Sequence, residues 1–297
     1  MTWLADRLHG GGEMLVAPGA FDAMSARAIA DHGFEAFYCG GYAGIASAWG
    51  LPDLGLLGLG EMRGIYERLR ACCSLPMIVD ADTGYGGLLN VARTVSTLAA
   101  LGVSAVQIED QLNPKRCGHI ADKEVAPLTE AEQRVRVAVE VGAEHGVAII
   151  ARTDALERHG LAAALDRANR FLELGATAAF IDALHTVEEI AAVPRALQGP
   201  AVYNAADTGL APRLSTAQLS EFGYAMTFFP IELLAASDTA VHAALDNLAE
   251  HGQLDGVART SFTALNSSLG LTDLVAWEKA IADEQDTTIG SYREEAS

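Results

Sequence analysis

Short apolar runs that end in a polar or reactive residue recur along the chain, each followed by a loop and a stretch of helical periodicity. The runs lie at 14–17, 36–39, 77–79, 105–108, 148–151, 178–181, 201–203 and 225–228. Runs of three or four apolar residues between loops read as strands buried on both faces. Between them, apolar positions at helical spacing, such as Val91, Val95, Leu98 and Ala99, or Ala164, Leu165, Ala168, Phe171 and Leu172, predict amphipathic helices. Gly33, Gly102, Gly146 and Gly175 stand between helix-like and strand-like segments, where a left-handed residue ends a helix cheaply. Eight such units in about 250 residues are the size of a (β/α)8 TIM-type barrel. A helical stretch near 271–283 is left over. The reading is therefore an α/β chain, one barrel domain over 1–297, with a C-terminal helical extension from about 255.

Composition narrows the function. The chain has 297 residues, is 50% hydrophobic and carries a formal net charge of −19. Its average field repels phosphate backbones and anionic membrane surfaces, so neither nucleic acid nor a membrane is an expected partner. No run is long and apolar enough for a bilayer span, and the N-terminus lacks the basic, then apolar, pattern of a signal peptide. Four cysteines, two of them adjacent at Cys72-Cys73, do not make a disulfide framework, which points to a reducing, cytoplasmic setting.

In a barrel, residues at the carboxyl ends of strands ring one mouth. Here those positions hold Tyr38 and Cys39, Asp80, Glu109, Arg152, Asp182 and Asn204. Asp80, Asp82 and Glu109 offer oxygen ligands suited to Mg2+, with Mn2+ as a substitute, and no Cys/His cluster has zinc spacing. The same acids could instead cap helices or pair with Arg152 and Lys115. Gly84, Gly86 and Gly87 follow and allow a close backbone approach. Cys117 lies in Lys115-Arg116-Cys117-Gly118-His119, where the cations favour its thiolate and poise it for proton transfer. His119 and Arg152 can each hold a substrate carboxylate. Tyr38 could deprotonate a hydroxyl if its own pKa were depressed by the metal and cations, and could equally be a packing residue.

These residues occur in motifs that resemble the isocitrate lyase/phosphoenolpyruvate mutase superfamily along nearly the whole chain. The motifs are PGAFDAMSA (18–26), GLPDLG (50–55), VDADTGYG (79–86), IEDQ (108–111), NPKRCGH (113–119), IIARTDA (149–155) and the later Asn204. The resemblance implies a (β/α)8 barrel that swaps its last helix with a neighbour, a homotetramer built as a dimer of dimers, and Mg2+. It places Asp80, Asp82 and Glu109 in the metal shell and Cys117 as the general acid, with Lys115, His119 and Tyr38 beside it. Gly40, Gly41, Gly118, Arg152, Asp182 and Asn204 fall in the substrate pocket.

Departures bear on the substrate. Where the 2-methylisocitrate lyases have Ser-Gly-Gly, this chain has Gly40-Gly41-Tyr42, and their glutamate after strand six is Asp182. Their Asn-Ile-Thr-Glu is Asn204-Ala205-Ala206-Asp207, and Ala235 aligns with the arginine that binds a distal carboxylate. A buried carboxylate without that partner would cost several kcal/mol, so a smaller 2-hydroxy or 2-oxo diacid fits better than a tricarboxylate. The leading expectation is Mg2+-dependent retro-aldol cleavage of a 2-hydroxy or 2-oxo carboxylate to a 2-oxo acid and a second carboxylate. The competitors are a phosphonomutase or hydrolase acting on a P–C bond, and a barrel that binds a 2-oxo acid without turnover.

Overall fold

The computed structural model describes residues 2–113, 115 and 123–294, with side chains described as far as 282. Eight parallel strands form: β1 (Leu15–Pro18), β2 (Phe37–Cys39), β3 (Met77–Asp80), β4 (Ala105–Glu109), β5 (Ala148–Thr153), β6 (Ala178–Ile181), β7 (Val202–Asn204) and β8 (Met226–Phe229). Each of the eight apolar runs becomes a strand, shifted by one or two residues at most. The glycines behave as their positions predict, with φ of 77°, 78°, 72° and 101° at Gly33, Gly102, Gly146 and Gly175.

The ladders form two sheets, one in the order β2-β3-β4-β5-β6 and one in the order β1-β8-β7. Single bridges, Gly19 to Tyr38 and Ala179 to Ala201, join them at two seams, so the strands follow one another round a barrel-like wall that continuous ladders do not close. One face of every strand points inward. The inner cluster takes residues from all eight strands, among them Ala17, Tyr38, Ile78, Ala105, Ile150, Phe180, Val202 and Phe228, with Leu4 beside them. Large and small side chains alternate there, and the Tyr38 and Phe228 rings stack at 4.1 Å. The opposite strand faces pack against helices in a second layer that includes Phe37, Met77, Val79, Val106, Ile108 and Ile149.

This period of two positions the site. One inward step beyond Ile78, Ile150, Phe180 and Val202 come Asp80, Arg152, Asp182 and Asn204, and Glu109 follows Gln107 in the same way. The chain divides into two compact units, Met1–Asp238 and Thr239–Ser297. In the second, helices Phe262–Ser268 and Leu271–Glu294 follow the end of the long helix Glu232–His251, and Leu245, Phe262, Leu274 and Trp277 are exposed. Among the described residues, no helix is long and apolar enough to cross a membrane.

Candidate active site

The acids at the strand ends are buried together. Among the described residues, the buried carboxylates are Asp53, Asp80, Asp82, Glu109, Asp110, Asp154 and Asp182, and the buried cations are Lys115, Lys123, Arg134 and Arg152. Seven carboxylates against these four cations and Arg167, which pairs with Asp110 at 3.2 Å, leave an excess of negative charge that protons or a bound cation can offset.

Asp80 is held from several sides. Its Oδ1 accepts from Gln107 Nε2 at 3.1 Å and from the Asp82 amide at 3.1 Å, and its Oδ2 accepts from the Gly41 amide at 3.3 Å. Gln107 Oε1 in turn accepts from Tyr38 at 3.0 Å. Tyr38 is therefore a neutral donor. Burial first, and then the charge of Asp80, push its pKa well above the usual phenol value.

Lys115 sits between Asp53 Oδ1 at 2.5 Å and Asp82 Oδ1 at 2.6 Å. Burial disfavours its ammonium, but Asp82, Glu109, Asp53 and Asp80 outweigh that and hold its pKa high. Its charge is committed to these acids, the pairing that the sequence reading held open as the alternative to a metal shell. Arg116, Cys117, Gly118 and His119 lie outside the described residues.

On the other side of the chamber, Arg152 grips Asp154 through Nε to Oδ2 at 2.8 Å and Nη2 to Oδ1 at 2.7 Å, and Nη2 also reaches Asp182 Oδ2 at 2.8 Å. Its Nε is 3.3 Å from Glu109 Oε2. The guanidinium lies over the Phe180 ring, 5.5 Å from the centroid. Asn204 Nδ2 donates to Asp182 Oδ1 at 3.1 Å, so the predicted Arg152, Asp182 and Asn204 form one bonded row. Lys123 Nζ shares Asp154 Oδ1 at 3.1 Å. The Asp154 amide and the Thr153 hydroxyl donate to Asp110, at 3.0 and 2.7 Å.

Among the described residues, no three His, Cys, Asp or Glu side chains form a ready-made metal cluster. Lys115 and Arg152 engage two of the three predicted ligands, Asp82 and Glu109, while Gln107 and backbone amides engage Asp80. The donor chemistry nevertheless fits a hydrated divalent cation, because Mg2+ needs only one or two carboxylates and keeps several waters. Glu109 Oε1 is buried without a hydrogen bond, and Asp82 Oδ1 has the Lys115 ammonium at 2.6 Å. Burial pushes the Asp82 carboxyl up to about 7, Lys115 opposing and Asp80 and Asp53 adding to the rise. Glu109 is likewise raised, chiefly by burial. A cation would relieve both. Gly41 borders the same space: a Cβ added there would stand 3.4 Å from Asp80 Oδ2. At Gly40 it would meet the Tyr38 ring at 2.9 Å.

The model of the phosphoenolpyruvate phosphomutase family matches residues 4–249. The 2,3-dimethylmalate lyase of Eubacterium barkeri is 35% identical, over 87% of this chain and 90% of its own. The 2-methylisocitrate lyase of Halalkalibacterium halodurans is 36% identical, over 91% and 89%. The chain belongs to the phosphoenolpyruvate mutase/isocitrate lyase family. Among solved structures, oxaloacetate acetylhydrolase in complex with 3,3-difluorooxalacetate superposes with a TM-score of 0.89 at 31% identity, covering 94% of this chain and 96% of that one. These relatives bear out the expected family, the barrel-type fold and the reading as a carbon–carbon lyase.

Within this family member, Asp53, Gln107, Lys123 and Asp154 are parts of the chamber to which the sequence reading gave no role of their own. A lone Gln in the otherwise apolar run AVQI was the available signal for Gln107. Asp53 lies in a loop, where no periodicity marks a buried side chain.

Proposed function

We propose that the protein is a divalent-cation-dependent lyase that cleaves a C–C bond in a 2-hydroxy or 2-oxo dicarboxylate and releases a 2-oxo acid or a simple carboxylate. What supports this most is the juxtaposition, at one barrel mouth, of an acid chamber with excess negative charge and an arginine locked in one orientation. Asp80, Asp82 and Glu109 would hold Mg2+, directly or through its waters. When bound, the ion supplies electrostatic stabilisation of negative charge developing on substrate oxygens.

The chain's own residues do the rest. None of the Arg152 bonds described uses Nη1, and that amino group would bind a substrate carboxylate. Asp182 and Asn204 hold the guanidinium side of the pocket in place. Tyr38, keeping its proton, would turn its O–H from Gln107 to the substrate hydroxyl oxygen beside Asp80. In retro-aldol cleavage the 2-hydroxyl proton passes to a chamber carboxylate, the hydroxyl oxygen becomes a carbonyl, and the C–C bonding pair leaves with the second fragment as an enediolate; a 2-oxo substrate first adds one water to its carbonyl, which supplies that hydroxyl and makes the product a carboxylate. Cys117 would then deliver a proton to that carbon. Ala235 and Ala206 favour a diacid without a third carboxylate.

A panel of substituted malates, methylisocitrate and oxaloacetate, followed by carboxylate or 2-oxo acid release, tests this reading. Cleavage of a dicarboxylate is expected, with a loss of at least about a hundredfold in Cys117→Ser, in keeping with general acid catalysis. Full turnover in Cys117→Ser would remove the acid assignment. The phosphomutase family model keeps P–C chemistry as a second reading. Phosphorus NMR with phosphonopyruvate decides it, and an unchanged spectrum is expected.

We further propose a cytoplasmic homotetramer. The exposed apolar residues of the second unit are surfaces that further copies would cover. So is a groove of about 600 Å³ in the first unit, lined by Val16, Ile29, Phe34 and Phe229. Light scattering should report four chains, and a monomer would contradict it.

A further inference from the structure

Asp154 follows the end of β5, and its side chain is fully enclosed. The carboxylate takes three bonds from cations: Arg152 Nε on Oδ2 at 2.8 Å, and Arg152 Nη2 and Lys123 Nζ on Oδ1 at 2.7 and 3.1 Å. Nη2 spends its second hydrogen on Asp182 Oδ2 at 2.8 Å. A guanidinium carries five N–H donors in a rigid fork; the Nε and Nη2 donors are taken here, and the two on Nη1 are left. Asp154 is itself fixed from the helix layer. Its amide donates to Asp110 Oδ1 at 3.0 Å, and Asp110 Oδ2 accepts from Thr153 Oγ1 at 2.7 Å and from Arg167 Nη1 at 3.2 Å. Arg167 belongs to the helix Leu156–Glu173. A chain of bonds thus runs from this helix through Asp110 and Asp154 to Arg152.

Without that grip Arg152 would have other carboxylates to settle on. Asp182 is one, and Glu109, whose Oε2 lies 3.3 Å from Nε, is the other. A guanidinium that moved fully onto Glu109 would cover an acid meant for the metal ion. Two bonds along the Nε–Nη2 edge fix the plane of the fork as well as its place. We propose that Asp154 is the positioning residue for Arg152, setting its plane so that Nη1 is left for a substrate carboxylate. Lys123 completes the arrangement. Because two cations share Asp154, that acid offsets only part of the Arg152 charge, and the guanidinium keeps its attraction for an anion. The inference rests on the reading of Arg152 as the carboxylate binder and adds what holds it in a binding orientation.

Asp154→Asn keeps the volume and breaks the fork, because an amide accepts at one end only and its NH2 would oppose an N–H donor. Oxalate binding to the full chain in saturating Mg2+, followed by calorimetry, should weaken by about tenfold or more. In an Arg152→Lys background, which has no fork to orient, the same change should cost less than about threefold. Turnover of a dicarboxylate by Asp154→Asn should show KM raised by about tenfold with kcat altered by less than about threefold. Lys123→Met combined with Asp154→Asn removes one buried charge of each sign, and it carries the same comparison where the single variant does not fold. Equal oxalate affinity in wild type and Asp154→Asn overturns the positioning role and leaves Arg152 as the carboxylate site. An equal loss in both backgrounds also overturns it, since that marks a structural role. Oxalate affinity unchanged by Arg152→Met overturns the reading of Arg152, and the Asp154 role with it.

Discussion

A methyl group added at Gly41 would lie 3.4 Å from Asp80 Oδ2 and 3.6 Å from both Asp82 Oδ1 and Lys115 Nζ. Those are close but tolerable contacts, so Gly41→Ala should keep the fold, with a melting temperature within a few degrees of wild type. It would also take up room beside the oxygens that are to receive a hydrated ion. Calorimetry should show Mg2+ binding weaker by at least about tenfold. Arg152 presents the opposite case. Its guanidinium answers Asp154, Asp182 and Glu109 together, and removing one partner of a buried charge set leaves the others uncompensated. Arg152→Met is expected to destabilise by about 3–5 kcal/mol in urea unfolding. It should also abolish binding of oxalate, whereas Lys at this position restores charge without the planar fork.

At the scale of elements, the turn after β3 carries the strictest requirement. Gly84 has φ of 87°, and a Cβ there would come within 2.5 Å of Val91 Cγ2 in the helix Leu88–Ala100. The Gly84 carbonyl also accepts from Thr94 at 3.1 Å. Gly84→Ala should therefore cost more than about 2 kcal/mol by strain and overpacking together, and it should lower soluble yield. Such elements were legible in the chain to different degrees. All eight strands could be placed, because a doubly covered parallel strand is a short apolar run between loops, and the helix-ending glycines show their left-handed φ. The inward row of Asp80, Glu109, Arg152, Asp182 and Asn204 was visible as strand-end polarity. What the one-dimensional pattern could not carry was pairing. That Lys115 would turn to Asp53 across 62 positions, or that Tyr38 would donate a hydrogen bond to Gln107, depends on which strands become neighbours. The raised pKa of Tyr38 follows from that burial.

At the scale of the whole molecule, the chamber makes stability depend on pH with a sign opposite to ordinary acid denaturation. Asp82 and Glu109 have folded-state pKa values above their usual range, chiefly because they are buried. Their protonated forms are compatible with the fold, and ionising them opposes it. Their contribution is thus fully present below the usual carboxylate range and is lost as pH rises through the folded values, about 7 for Asp82. In EDTA, stability should fall as pH rises from the usual carboxylate range through about 7, the folded value for Asp82. Saturating Mg2+ should flatten this fall, because the ion takes over the role of the protons. An EDTA profile that rises steadily over that range would contradict the assignment. Metal binding, in turn, should weaken below about pH 7 by up to about tenfold per unit for each proton displaced.

The central claim, that this chamber performs cation-dependent C–C cleavage, is tested most directly by following product release from oxaloacetate and a series of substituted malates before and after EDTA, and again after adding Mg2+. The account predicts cleavage of at least one dicarboxylate, abolished by EDTA and restored by Mg2+. Cleavage that continues undiminished in EDTA, or no C–C cleavage with any member of the series, would contradict it.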